Sequence, residues 1–240
     1  MQLILLQKIL LNINEVDMEM EAWTVLLGWI LFAGTHIGLS TNSIRSGLTG
    51  KIGEKGFQGL YSLIALITFG LLIAAFYYTK SPAVSVSVPS GNHPALQHTS
   101  SVLMLFAFIL LFTGFRDRTP MGMVPVKAEA RGIVRVTRHP MNMAFALFGL
   151  AHLLTSHIAA EWFFYGGFVL YGYFGSAHQD QKKVRVGGEE LSGFVAETSI
   201  FPFGAIIKGK QPFKLGEISK IGLLLGIVAT VVVRYLHPGF

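Results

Sequence analysis

Among the side chains able to do chemistry, the eight histidines stand out, because the 240-residue chain has no cysteine and so no thiolate nucleophile, thiolate metal site or disulfide. His36 and His152 lie inside long apolar runs, where an ionisable group is costly and normally faces the interior of a helix bundle. His36 has Ala33 three residues before it and Ser40 four after; His152 has Gly149 and Ser156 at the same offsets. At helical spacing these share a face with the histidine. A small residue beside an imidazole leaves room for a flat group such as a haem, and histidines projecting from two helices into a bundle core are a usual way of holding one. A cross-helix hydrogen bond explains the same pattern, and spacing alone favours it. His36 falls in the inner half of its apolar run and His152 near the middle, an offset of about 8 Å at 1.5 Å per residue. His93, His157, His178 and His237 sit at or beyond span ends and read as interfacial polar residues.

A second constellation is Gly132-Ile-Val-Arg-Val-Thr-Arg-His-Pro-Met141. Pro140 suits the first turn of a helix, where its missing N–H is no loss. Arg135, Arg138 and His139 then gather near a helix N-terminus, which favours anions. They read in part as a membrane-surface anchor and in part as a carboxylate clamp, for haem propionates or for the carboxylate of a nucleotide-derived cofactor. A third segment, Phe194 to Gly209, mixes apolar and polar residues below span length and is expected to lie along the membrane interface, covering the bundle. Glu197, Thr198 and Ser199 form no triad there, the glycine-rich stretches match no phosphate loop, and no catalytic residue is assigned.

The elements that must position these residues follow from composition. The chain is 52% hydrophobic and only 13% charged, against about 25% charged in a soluble domain. It needs lipid as solvent. The net charge of +6 lies in loops between apolar runs rather than on an aromatic-studded soluble face, which argues against nucleic acid. A bilayer core about 30 Å thick needs roughly 20 apolar residues. Six stretches approach this: Trp23 to Ser40, Phe57 to Tyr78, Thr99 to Phe115, Met141 to His157, Trp162 to Ala177 and Ile221 to Leu236. The expected fold class is all-α, a polytopic transmembrane bundle of about six helices. With these spans, sixteen of the 19 basic residues fall on one side and only Lys8, Lys80 and Arg234 on the other. Basic residues resist translocation, so both termini are expected outside the cytoplasm.

Residues 1–21 are expected to be an interfacial segment or the product of an upstream start, since Met18 or Met20 would serve equally and the apolar run is too short to span. Residues 22–240 form the transmembrane domain.

Several of these motifs together resemble one family. They are the histidine of the first span, Gly53-Glu54 followed by Leu60-Tyr61-Ser62-Leu63, the run Gly132 to Met141, Leu150-Ala151-His152, and Thr198-Ser199 with Pro202-Phe203 and Ala205-Ile206. In this order they resemble the NnrU family, which includes plant and cyanobacterial 15-cis-ζ-carotene isomerases and bacterial proteins associated with denitrification. The resemblance implies a haem b held by His36 and His152, an apolar polyene reaching it from the bilayer, cis–trans isomerisation when reduction releases one axial ligand, and residence in a bacterial inner membrane. Two positions depart from the isomerase pattern: Gly149 stands where plant isomerases carry a cysteine, and Met141 follows Pro140 where they carry glutamine. A non-enzymatic role supporting nitric oxide metabolism is a second expectation. A third comes from Arg138-His139-Pro140 with Glu189-Glu190, which is similar to membrane methyltransferases that use S-adenosylmethionine.

Overall fold

The computed structural model describes residues 22–79, 93–122 and 126–237; the expectation for residues 1–21 falls outside them. Seven α-helices and no strand occur among the described residues. They are α1 (Ala22–Ser40), α2 (Asn42–Thr79), α3 (Pro94–Arg116), α4 (Pro140–Leu153), α5 (Ala159–Glu197), α6 (Gly204–Ile207) and α7 (Lys220–Leu236). The all-α class expected from sequence is the one found, and each of the six apolar stretches has a helix of its own, although the fourth outruns its helix.

Three helices, α1, α2 and α3, are long and apolar enough to cross a bilayer. Two others are shorter: α4 has 14 residues and α7 has 17. The fourth stretch was expected to run to His157, but α4 ends at Leu153. His152 therefore stands one residue from a helix end and not near mid-span.

Two stretches expected as polar loops are helical. Helix α2 begins at Asn42, well before the apolar stretch, and carries Arg45, Lys51 and Lys55 on a helical extension bent at Gly53 (φ 73°). Arg45 pairs with Glu54 there. Helix α5 likewise continues through the charged run Lys182 to Glu197, bent at Gly188 (φ 58°). Glu, Lys, Gln and Arg are good helix formers, so a loss of apolar character ends the span without ending the helix.

The chain divides into two compact units. Among the described residues, the first comprises those up to Thr79 together with Ser156–Gly167. In it α1, α2 and the start of α5 meet around the fully buried Val25 and Leu72. The Trp29 indole donates to the Phe164 carbonyl at 3.1 Å, and Phe76 stacks on Phe164 with ring centroids 4.0 Å apart.

The second unit comprises the described residues of His93–Thr155 and Phe168–His237. Helix α7 lies directly on the backbone of α3: a Cβ at Gly226 would come within 2.8 Å of the Ile109 Cα, and one at Gly222 within 2.8 Å of the Thr113 Cα. This small-xxx-small spacing lets two helices approach in lipid, where packing must replace the hydrophobic drive. On the other side of α4, Asn142 donates to Ser176 of α5 at 3.0 Å. At the basic end the core is formed by Leu110, Ile133, Val134, Val136, Met143, Phe194 and Ile218, with Ile200 and Ile206 packed against it. Residues of the segment Phe194 to Gly209 thus cover this end of the second unit.

Candidate functional site

In the first unit His36 occupies the last turns of α1. Its ring lies 5.4 Å from that of Phe32, one turn earlier, and 4.6 Å from that of Tyr61 on α2. The Tyr61 hydroxyl donates to the His36 carbonyl at 3.3 Å. The imidazole is half-buried among aromatic faces.

In the second unit His152 occupies the last turn of α4. Its Nδ1 donates to the Phe148 carbonyl at 2.8 Å. A carbonyl can only accept, so the proton of a neutral ring is on Nδ1 and the lone pair is on Nε2. This is the arrangement in which a backbone acceptor orients a metal-ligating histidine. The donor chemistry at His152 therefore fits a haem iron. The ring also lies 4.3 Å from that of Phe148 and 6.5 Å from that of His237, at the end of α7. His237 read as a simple interfacial residue in the sequence. Its approach to His152 depends on how α4 and α7 end together, which no local motif records.

The three residues offered as a carboxylate clamp also belong to the second unit, and the protein supplies each with a partner. The Arg138 guanidinium is buried and forked onto Asp180, with Nε 3.0 Å and Nη2 2.6 Å from Oδ2. Its Nη1 donates to the Thr198 carbonyl at 2.9 Å. The His139 Nε2 lies 2.7 Å from the other Asp180 oxygen. Burial by itself would raise the Asp180 carboxyl, but the hydrogen bonds from His139 and Arg138 outweigh it and hold the group below the usual carboxylate range. The backbone reinforces the junction: Thr137 donates its hydroxyl to the Ile200 carbonyl at 2.6 Å, the Arg138 N–H reaches Ser199 O at 3.0 Å, and the Phe203 N–H reaches Val136 O at 2.8 Å. Arg138, Thr137 and Val136 thus pin the segment after α5 to the start of α4, while Asp180 ties α5 itself to Arg138 and His139.

Arg135 has a different partner. Its Nε donates to Glu217 at 2.8 Å and its Nη1 to Gln211 at 2.6 Å. Gly132 makes this possible: it adopts φ 58°, and a Cβ there would stand 2.8 Å from Asp117 Oδ2. Its N–H donates to Glu217 at 3.2 Å, while Asp117 accepts from the N–H groups of Ile133 and Ser219. Hydrogen bonding from Arg135 is the main reason that the Glu217 carboxyl drops to about 2. Pro140 opens α4, as its type suggested.

Sequence reasoning missed Asp180, Asp117 and Glu217. A faint signal existed, because an acid embedded among basic interface residues needs a cation, but Asp180 stands 42 positions from Arg138. Helix α4 also separates the two candidate sites: His152 is 12 residues beyond Pro140, about 18 Å along the axis. No group of three or more metal-binding side chains occurs among the described residues.

Apolar helices carrying few charges, a histidine near one end of α1 and another near the end of α4, and an ion-paired basic junction define a polytopic helical membrane protein. The chain belongs to the NnrU protein family, whose model matches residues 24–240. It is similar to the chloroplastic 15-cis-zeta-carotene isomerase of Arabidopsis thaliana, 28% identical over 221 residues, covering 87% of this chain and 58% of the relative. The chloroplastic enzyme of the same name from Zea mays is also 28% identical, over 198 residues covering 78% of this chain and 51% of the relative. The chain thus spans somewhat over half the length of these curated relatives. No solved structure matches it.

Proposed function

We propose that this protein is a haem b-dependent isomerase acting within the membrane on a carotenoid-like polyene, with His36 and His152 as the residues that would hold the iron and the basic face toward the cytoplasm of a bacterial cell. The observation that carries the reading is the His152 ring, whose Nδ1 is tied to the Phe148 carbonyl so that Nε2 offers its lone pair. Similarity to two 15-cis-zeta-carotene isomerases across most of the chain supports the substrate class. When bound, haem iron would supply a redox-controlled Lewis acid able to lower the barrier to rotation about a double bond. The reaction changes neither atoms nor oxidation state of the polyene.

The chain's own residues do the rest. The Phe148 carbonyl fixes the tautomer and direction of His152, while Phe32 and Tyr61 lie against the His36 ring. Arg135, Arg138 and His139 act here on the protein itself through Glu217 and Asp180, and no propionate contact is part of the proposal.

One observation favours a second arrangement of the same cofactor. His237 lies 6.5 Å, ring to ring, from His152 within a single unit, so His152 and His237 are the alternative pair. The functional test is co-expression with the enzymes that make the tri-cis carotene. Conversion to the di-cis isomer in darkness, lost in His152→Ala, is the expected result. A haem-loaded, folded protein giving no isomer under reducing conditions would leave the non-enzymatic role in nitric oxide metabolism as the better reading. Transfer of labelled methyl groups from S-adenosylmethionine to lipid would replace both.

A further inference from the structure

The first part of α2, residues 42–52, lies between two bends of the first unit. At Thr41 the chain leaves α1, and the Thr41 N–H and hydroxyl both donate to the Gly38 carbonyl, at 3.1 and 2.8 Å. At Gly53 it takes φ 73° and ψ 167°, a backbone that glycine alone adopts without strain. None of the residues 42–52 is buried, so little packing holds the segment in place. Gly47 and Gly50 weaken it further. A Cβ at either would meet nothing within 4 Å, so no close approach requires them, and each lowers helix stability about fivefold relative to alanine.

Arg45 holds the segment back. It pairs with Glu54, which also accepts from Gln58 at 3.2 Å, and its guanidinium lies 5.4 Å from the centroid of the Phe57 ring. In a straight helix the nine positions between Arg45 and Glu54 would put them about 13.5 Å apart along the axis and on opposite faces. The pair exists only because Gly53 folds residues 42–52 back. Phe57 is 5% exposed and stacks on Tyr61 at 5.8 Å, and the Tyr61 ring lies 4.6 Å from that of His36. The His36 Nδ1 atom is closed to solvent. Three rings in series thus connect the contact made by Arg45 to the imidazole.

We propose that residues 42–52 are a hinged lid, latched by Arg45 on Glu54 and Phe57, which swings about Thr41 and Gly53 and when open frees Phe57 and Tyr61 to expose His36 to solutes from the surface. The inference involves α1 and α2 alone and does not depend on haem or isomerase activity. The latch is weak enough to open. Its two charged side chains are 38% and 49% exposed, where an ion pair gives at most about a fivefold bias, and the contact with the ring adds about twofold. Losing both shifts the balance toward the open form about tenfold.

The chain has no cysteine, so Arg45→Cys with Glu54→Cys can be closed selectively by a short bis-maleimide. The full chain in detergent is treated with diethylpyrocarbonate, and modification of His36 is timed by peptide mass spectrometry with His178 of the second unit as reference. The unlinked double variant should modify His36 about tenfold faster than the wild type, and linking should return it to the wild-type rate or below. Glu54→Gln keeps the ring contact and should give a smaller rise, up to about fivefold. Linked and unlinked forms are one folded polypeptide compared with itself, so a folding defect cannot produce the difference. Spin labels at Ser46→Cys and Leu60→Cys report the swing even where His36 is occupied: their distance distribution should be narrow, and Glu54→Gln should add a longer component. Equal His36 rates with and without the link, a rise at His178 equal to that at His36, or a spin-label distance indifferent to Glu54→Gln would each overturn the proposal.

Discussion

Asp180→Asn removes the one negative charge shared by Arg138 and His139 while preserving the shape of the side chain. The wild-type carboxylate accepts from Arg138 Nε and Nη2 and lies 2.7 Å from His139 Nε2, and its side chain is only 11% exposed. Breaking a buried ion pair on one side costs about 3–5 kcal/mol, because the surviving charge stays buried. The asparagine oxygen still accepts one bond, and Arg138 keeps the Thr198 carbonyl, so the lower end applies. A cost of about 3 kcal/mol is a shift of roughly a hundredfold in the opening equilibrium. The opening should be local, since Arg138, Thr137 and Val136 bind the chain at Thr198, Ile200 and Phe203. Hydrogen–deuterium exchange of the detergent-solubilised protein should show faster exchange in peptides covering 136–139 and 194–205, with little change in 220–230. Unchanged exchange at 194–205, or an equal rise throughout α7, would refute the idea that this carboxylate holds Arg138 where it ties that segment to the start of α4.

Other outcomes follow from the same packing. Gly226→Leu drives a side chain into the α3 backbone at Ile109; it should lower thermal stability in detergent by several degrees, measured by retention of a monodisperse elution peak, whereas Leu225→Ala on the exposed face of α7 should not. Glu217 is held at about 2 against an ordinary 4.5, so its contribution to stability is complete above about pH 4.5 and is lost as pH falls toward 2. The thermal stability of Glu217→Gln in detergent should accordingly vary less with pH in that window than that of the wild type. Reporter fusions after Lys127 and Lys210 should both report the cytoplasm; a fusion reporting the opposite side would reverse the expected topology.

The spans were legible because lipid imposes a length and an apolar composition that a short window detects. The first half of α2 and the second half of α5 were not, since Arg45, Lys51 and Lys182 end the apolar signal while their helices continue past Gly53 and Gly188. For the site, histidines and arginines could be named as types, but their partners could not. Arg138 reads as a basic anchor until α5 brings Asp180 against it, and His152 reads as a mid-span residue until α4 stops at Leu153. His237 gained significance only when the end of α7 met the end of α4.

The most direct measurement is the absorption spectrum of protein purified after expression with ample haem. A low-spin Soret band is predicted, abolished or shifted to high spin in His152→Ala and weakened in His36→Ala, with His237→Ala unchanged. Loss in His237→Ala with His36→Ala unchanged would assign the pair to the second unit alone. A colourless protein, or a spectrum indifferent to His152→Ala, would contradict the haem assignment outright.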